Sequence, residues 1–172
     1  LADEYGLLLY LDEAHAIGVT GKRGEGLLAS QGLQDRFAVA VYPCGKAPGV
    51  SGAFVCGQSV LREILINQCR SFIFSTAQPP ILAELLRRVI ALLPELNKER
   101  EFLQNLGNSL RTGLSEMGLA AGRSTTHIVP VVLGESERSI QWMKHLLSAG
   151  LDVRAIRPPT VPEGQARLRV NL

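Results

Sequence analysis

The sequence predicts an α/β fold, a mainly parallel sheet between helices, followed by a smaller α+β unit. Three observations carry this. Leu7-Leu-Leu-Tyr-Leu11 is apolar on both faces, the pattern of a central parallel strand. Two short valine-containing runs bounded by Gly and Pro, Ala38 to Tyr42 and Ala53 to Cys56, read as buried strands. Beyond residue 127 the runs follow the order strand, helix, strand, strand.

In chain order, Leu1 to Gly6 reads as the tail of a helix stopped by glycine. The strand Leu7 to Leu11 ends at Asp12-Glu-Ala-His15. Ile17 to Gly26, with four glycines and the pair Lys22-Arg23, is a loop, and Leu27 to Gln31 is a short helical turn closed by Gly32. Ser59 to Cys69 reads as a helix, with Val60, Leu61, Ile64, Leu65 and Gln68 on one side. Phe72-Ile-Phe-Ser75 reads as a short strand. Pro79-Pro80 opens a helix, because proline suits the first helical position. Leu82, Leu85, Leu86, Val89, Leu92 and Leu93 continue it until Pro94 ends or kinks it. A second helical pattern runs from Leu96 through Leu103, Leu110 and Leu114 to the stop at Gly118. A strand from Ile128 to Leu133, a helix over about 137–149, a strand from Leu151 to Ala155 and a Pro-rich turn then lead to a last strand from Arg167. The expected division is 1–93 as the back half of a large domain, 94–118 as a connecting helix and 119–172 as an incomplete small α+β domain. Starting inside a helix tail and stopping inside the alternating run Leu168 to Leu172, the chain reads as a piece of a longer protein.

With 46% hydrophobic and 20% charged residues over 172 positions, the composition is that of an ordinary soluble globular protein. A net charge of +2 gives no reason to expect nucleic acid or a membrane surface as partner. No long uncharged apolar run or signal peptide is present in the sequence, and Cys44, Cys56 and Cys69 read as free thiols, so the expected location is cytoplasmic. His15, His127 and His145 lack ligand spacing, so no metal site is expected.

The chemistry centres on Lys46, set between two apolar runs among small and apolar residues. Such surroundings disfavour the ammonium form and make the amine a nucleophile for a carbonyl, forming a Schiff base. The bland reading is a surface lysine on a turn. Asp12 lies at the end of another apolar strand, the edge of an open α/β sheet where ligands bind. A lysine beside a carboxylate suits pyridoxal phosphate: the lysine holds the aldehyde and the carboxylate keeps the ring nitrogen protonated. Asp12 fits a strand-end cap equally well. His15 could donate to a cofactor or substrate oxygen, or simply hold its loop. Ser75 and Thr76 precede a helix start, where hydroxyls bind phosphate or cap the helix.

Four stretches in order, Asp12-Glu-Ala-His15, Gly45-Lys46-Ala-Pro-Gly-Val-Ser-Gly52, Phe74-Ser-Thr76 with Pro79-Pro80, and Ala155-Ile-Arg-Pro-Pro-Thr-Val-Pro-Glu-Gly-Gln-Ala-Arg-Leu-Arg169, resemble the α-oxoamine synthases. These are fold-type-I pyridoxal phosphate enzymes that condense an amino acid with an acyl thioester and release carbon dioxide. The stretch Ile156 to Pro162 is most similar to the biotin-pathway branch, which implies L-alanine and pimeloyl-CoA, or a carrier-protein equivalent, as substrates. The resemblance implies roles residue by residue. Lys46 holds the cofactor and moves the substrate α-proton, Asp12 partners the pyridine nitrogen, and His15 stands near the 3-hydroxyl. Ser75 and Thr76 reach the phosphate bound by the neighbouring subunit, so a homodimer with a shared active site is implied. Arg169 grips the amino-acid carboxylate, and Arg157 lies near the acyl entrance. For Arg157 and Arg167 a solvated surface charge is the competing reading.

Two positions depart from the family pattern. Pro43 stands where a phosphate-binding threonine is usual, and proline offers neither hydroxyl nor N–H. Pro48 stands where an aromatic residue or leucine is common. The family's first half, with its phosphate loop and stacking ring, lies outside this sequence. Other readings stay open: a glycine C-acetyltransferase type of the same family, an inactive fragment, or a helicase-type ATPase in which Leu7 to His15 is a Mg²⁺-binding strand. The last would need a Gly-x-x-x-x-Gly-Lys-Ser/Thr loop, which this sequence lacks.

Overall fold

The computed structural model describes residues 1–119 and 121–172. It divides into two compact units, Leu1–Arg100 and Glu101–Leu172.

Unit 1 opens with α1 (Ala2–Tyr5), ended by Gly6 in the left-handed conformation, φ 60°. The strand β1 follows (Tyr10–Asp12), then α2 (Leu27–Ser30), β2 (Val39–Pro43) and β3 (Ala53–Gly57). β1 pairs parallel to β2, Asp12 facing Val41. β2 pairs antiparallel to β3, Tyr42 facing Phe54. The sheet expected to be mainly parallel is therefore mixed, one strand pair parallel and one antiparallel. Tyr42 and Phe54 stack with ring centroids 4.6 Å apart, the cross-strand aromatic contact that fixes this register. Four helices follow: α3 (Ser59–Gln68), α4 (Arg70–Ile73), α5 (Pro80–Leu92) and α6 (Asn97–Glu116), the last crossing into unit 2. The core gathers Ile17, Leu28, Ala40, Tyr42 and Leu93, with Leu11, Phe54 and Val89 packed against it. Burying each such large side chain contributes about 1.5–3 kcal/mol.

Two expected strands change. The run Leu7 to Leu11 forms ladder pairs only over Tyr10–Asp12, because β2 begins at Val39, opposite Tyr10; Leu7 and Leu8 stay exposed. Phe72 to Ser75 forms no strand. Its first half is the helical turn α4, with Ile73 N–H donating to the Cys69 carbonyl (2.9 Å) and Phe74 N–H to the Arg70 carbonyl (3.0 Å). Helical spacing then lets the Arg70 guanidinium lie 5.5 Å from the Phe74 ring centroid, a pairing an isolated strand would not make. A short apolar run does not distinguish strand from helix until a partner strand is present.

Unit 2 holds β4 (Ile128–Gly134), α7 (Ser136–Ser148), β5 (Arg154–Ile156) and β6 (Ala166–Asn171), in sheet order β4-β6-β5, antiparallel throughout. The expected strand at Leu151 to Ala155 moves to Arg154–Ile156, the residues opposite Arg169–Arg167 of β6. Alternation sends Val129, Val131 and Leu168 into the core with Leu114 of α6. Pro94, expected to stop a helix, lies in the 3₁₀ turn Leu93–Glu95 between α5 and α6. Among the described residues no helix is long and apolar enough to cross a membrane.

Candidate active site

The parallel pair β1–β2 sets the site in unit 1. Both strands end at the same sheet edge, and the chain leaving each carries the reactive groups: Asp12 to His15 after β1, Cys44 to Val50 after β2. The second segment is a compact turn. Cys44 N–H donates to the Gly52 carbonyl (2.9 Å), Val50 N–H to the Cys44 carbonyl (2.9 Å) and Gly49 N–H to the Lys46 carbonyl (2.9 Å). Gly49 and Gly52 have positive φ, 68° and 113°, which a side chain would disfavour. Cys44 anchors the turn as a fully buried side chain whose thiol faces the Tyr42 carbonyl at 3.1 Å.

Lys46 Nζ lies 2.9 Å from His15 Nε2, so the structure joins the two residues the sequence singled out on separate strands. Lys46 is exposed, contrary to the sheltered lysine expected from its neighbours. Small residues line the turn, but burial alternates along it: Pro48 and Val50 are buried while Lys46 is exposed. The amine is open to an incoming aldehyde. Asp12 Oδ1 accepts a hydrogen bond from Ala14 N–H (2.8 Å), so its carboxylate caps the strand end and still has its second oxygen at the edge.

Sequence reasoning missed the residue that holds this edge together. Glu13 is 1% exposed, and its carboxylate accepts hydrogen bonds from Leu27 N–H (2.9 Å) and Leu28 N–H (2.5 Å) at the start of α2. Its own N–H donates to the Val41 carbonyl (2.8 Å), and its carbonyl accepts from Ala16 (2.9 Å) and Ile17 (3.0 Å). One residue therefore ties β1, β2, α2 and the His15 turn together. The available signal was alternation: with Asp12 at the edge, the next side chain must face inward. Arg100 was missed too. Buried, it donates to the carbonyls of Leu93 (2.6 Å) and Lys22 (2.9 Å) and fixes the glycine loop that follows His15.

Ser75 and Thr76 are exposed on the segment after α4, and Ser75 Oγ donates to the Ser71 carbonyl (2.5 Å). Neither hydroxyl joins the Lys46–His15 contact. Pro43 closes β2 opposite Ala53 and brings no hydroxyl to the turn. In unit 2, Arg169 lines a cavity of about 410 Å³ with Thr160, Ile156 and Arg167. Its Nε is buried without a hydrogen-bond partner. Arg157 is exposed and does not line that cavity; its carbonyl accepts from Thr160 N–H (3.0 Å). Among the described residues no three His, Cys, Asp or Glu side chains are grouped to hold a metal ion.

An amine, an imidazole and a carboxylate at one strand edge are the donor set for an aldehyde, a phenolic oxygen and a ring nitrogen on one cofactor. The family named Aminotransferase class I and II matches residues 1–172. An 8-amino-7-oxononanoate synthase of Gluconacetobacter diazotrophicus is 42% identical over 172 residues, covering 100% of this chain and 42% of that protein. The solved 8-amino-7-oxononanoate synthase of Francisella tularensis superposes at a TM-score of 0.83 with 30% identity, over 95% of this chain and 48% of the other. A structure of SPT with a PLP internal aldimine gives a TM-score of 0.88 and 31% identity over 99% of this chain and 43% of the other. The chain spans less than half the length of the curated relatives it matches. It has the fold-type-I α/β architecture of these solved transferases.

Proposed function

The chain belongs to the aminotransferase class I and II family, and from that premise we propose that it forms part of a pyridoxal-phosphate-dependent acyltransferase of the α-oxoamine synthase type. The reaction is the condensation of L-alanine with a pimeloyl thioester, on CoA or a carrier protein, with loss of carbon dioxide to give 8-amino-7-oxononanoate for biotin synthesis. One observation carries the reading. Lys46 Nζ and His15 Nε2 meet at 2.9 Å on the carboxyl edge of the sheet, in a chain alignable end to end with 8-amino-7-oxononanoate synthases.

Pyridoxal phosphate supplies an aldehyde for an amine and a ring that takes up the electrons released at the substrate carbon. Lys46 would hold that aldehyde carbon and, once displaced by the substrate amine, take the α-proton at Nζ as a base. His15 orients Nζ through the contact described. Asp12 would hold a proton on the ring nitrogen through its carboxylate, a charge-assisted pair. Arg169 would grip the substrate carboxylate by its guanidinium fork, with Arg157 nearer the acyl entrance. Ser75 and Thr76 would reach the phosphate bound in the neighbouring subunit of a homodimer. Residues 1–93 then form the back half of the cofactor domain, 94–118 the connecting helix and 119–172 part of the small domain.

The test adds pyridoxal phosphate to the chain and to Lys46→Ala, reduces with borohydride and maps the mass increase. Label concentrated at Lys46 and absent from the variant is expected. Equal label across Lys22, Lys98 and Lys144 would overturn the assignment of Lys46.

A further inference from the structure

The small-unit cavity holds two guanidinium groups, and the proposed reaction has so far used one. Arg167 and Arg169 stand two residues apart on β6, on the face opposite the core residues Ala166 and Leu168. Their neighbours across β4 are Val132 and Pro130, and across β5 Ile156 and Arg154. Arg154 reaches Asp152 (3.3 Å), and among the described residues neither Arg167 nor Arg169 pairs with a carboxylate. Among the described residues, no acidic side chain lines the cavity; its other polar side chains are Ser124, Thr126 and Thr160. Two half-buried cations walled by Ile128, Pro130 and Ile156 form a site of uncompensated charge in surroundings less polar than water, where an anion is held more strongly.

The two groups are held differently. Arg167 Nε donates to the Gln165 carbonyl (2.9 Å) and its Nη2 to Gln165 Oε1 (3.0 Å). That clamp fixes the plane of the guanidinium and leaves Nη1 for a ligand. Arg169, by contrast, has an unpartnered buried Nε. Along a strand, residues two apart are separated by about 6.6 Å, so the pair presents two anion contacts rather than one.

We propose that Arg167 is a second anion anchor of this cavity, and that the ligand it selects is a dicarboxylic acyl group whose far carboxylate it binds while Arg169 binds the carboxylate of the amino acid. This rests on the Arg169 reading above and deepens it: Arg167 becomes the residue that distinguishes an ω-carboxyl acyl chain from a plain one.

The test follows the arginine Nε–Hε resonances of the full chain at low salt during titration with propionate, glutarate and pimelate. Both diacids are expected to bind about tenfold more tightly than propionate, as one added charge-assisted contact in a half-exposed site should give. Arg167→Gln should abolish that advantage, weakening both diacids several-fold more than propionate, and Arg167→Lys should restore part of it. The dispersion of the backbone amide spectrum shows that each variant is folded. Failure of propionate to move the Arg169 resonance would sink the underlying carboxylate reading. Propionate binding with no diacid advantage would overturn the role given to Arg167. So would an equal loss of propionate and pimelate in Arg167→Gln, since one carboxylate would then bridge both arginines.

Discussion

Replacing Glu13 by glutamine tests the keystone of the candidate site. The carboxylate is 1% exposed and accepts two backbone hydrogen bonds at the first turn of α2, 2.9 Å from Leu27 N and 2.5 Å from Leu28 N. Glutamine has nearly the same shape but only one acceptor oxygen. Its amide nitrogen must then face a backbone N–H, so one donor is left buried and unpaired and the other loses the benefit of a charged acceptor. Hydrogen bonds to charged groups contribute about 1.5–3 kcal/mol each, and an unsatisfied buried donor costs about 1–3 kcal/mol. Rotation cannot relieve the clash, because a Cβ on Gly26 would already lie 3.0 Å from Glu13 Oε2, which shows how closely the backbone wraps this group. The expected loss is about 2–4 kcal/mol, a large fraction of a typical domain's stability. With a urea slope of about 2 kcal/mol per molar, the unfolding midpoint should fall by about 1–2 M. Circular dichroism across a urea series measures it. A shift below about 0.3 M would refute the claim that this carboxylate joins β1, β2 and α2.

Two further outcomes are expected. Replacing Arg100 by methionine removes the donors to the Leu93 and Lys22 carbonyls, so trypsin should cut after Lys22 and Arg23 at least several-fold faster; an unchanged rate would show that the loop is fixed by other means. The thiols should alkylate with iodoacetamide in a set order, Cys69 first and Cys44 last. Hydrogen bonds from the Ser71 side chain and the Phe72 amide hold the Cys69 thiol below its ordinary value, whereas burial pushes Cys44 up. Ser71→Ala should slow labelling at Cys69. The sign for stability follows: the folded chain keeps the Cys44 proton where the unfolded chain has lost it. That contribution is whole below the ordinary thiol value and declines as pH rises above it. Peptide mapping over time reads the order, and Cys44 reacting first would refute the burial argument.

Much of this site could be read in the sequence because it depends on residue types at strand ends. An apolar run closed by Asp12 and His15, and a lysine in a glycine turn after a second run, mark a strand edge wherever the strands pair. The helix from Pro80 and the strand expected from Arg167 were likewise local, fixed by proline's φ and by the two-residue period of a strand. The start of β1 was not local: it is set by where β2 begins, Val39 opposite Tyr10. Nor was the fate of Phe72 to Ser75, whose first half turns helical with no strand beside it. Whether Lys46 faced water depended on the backbone direction of its turn, to which apolar neighbours are no guide. The partners of Glu13 and Arg100 were not local either: chain segments far apart in sequence bring backbone amides and carbonyls to them. Residue type and period therefore specified the elements and the reactive groups. The partners of each buried charge came only from tertiary contact, because a hydrogen bond needs both of its ends in place.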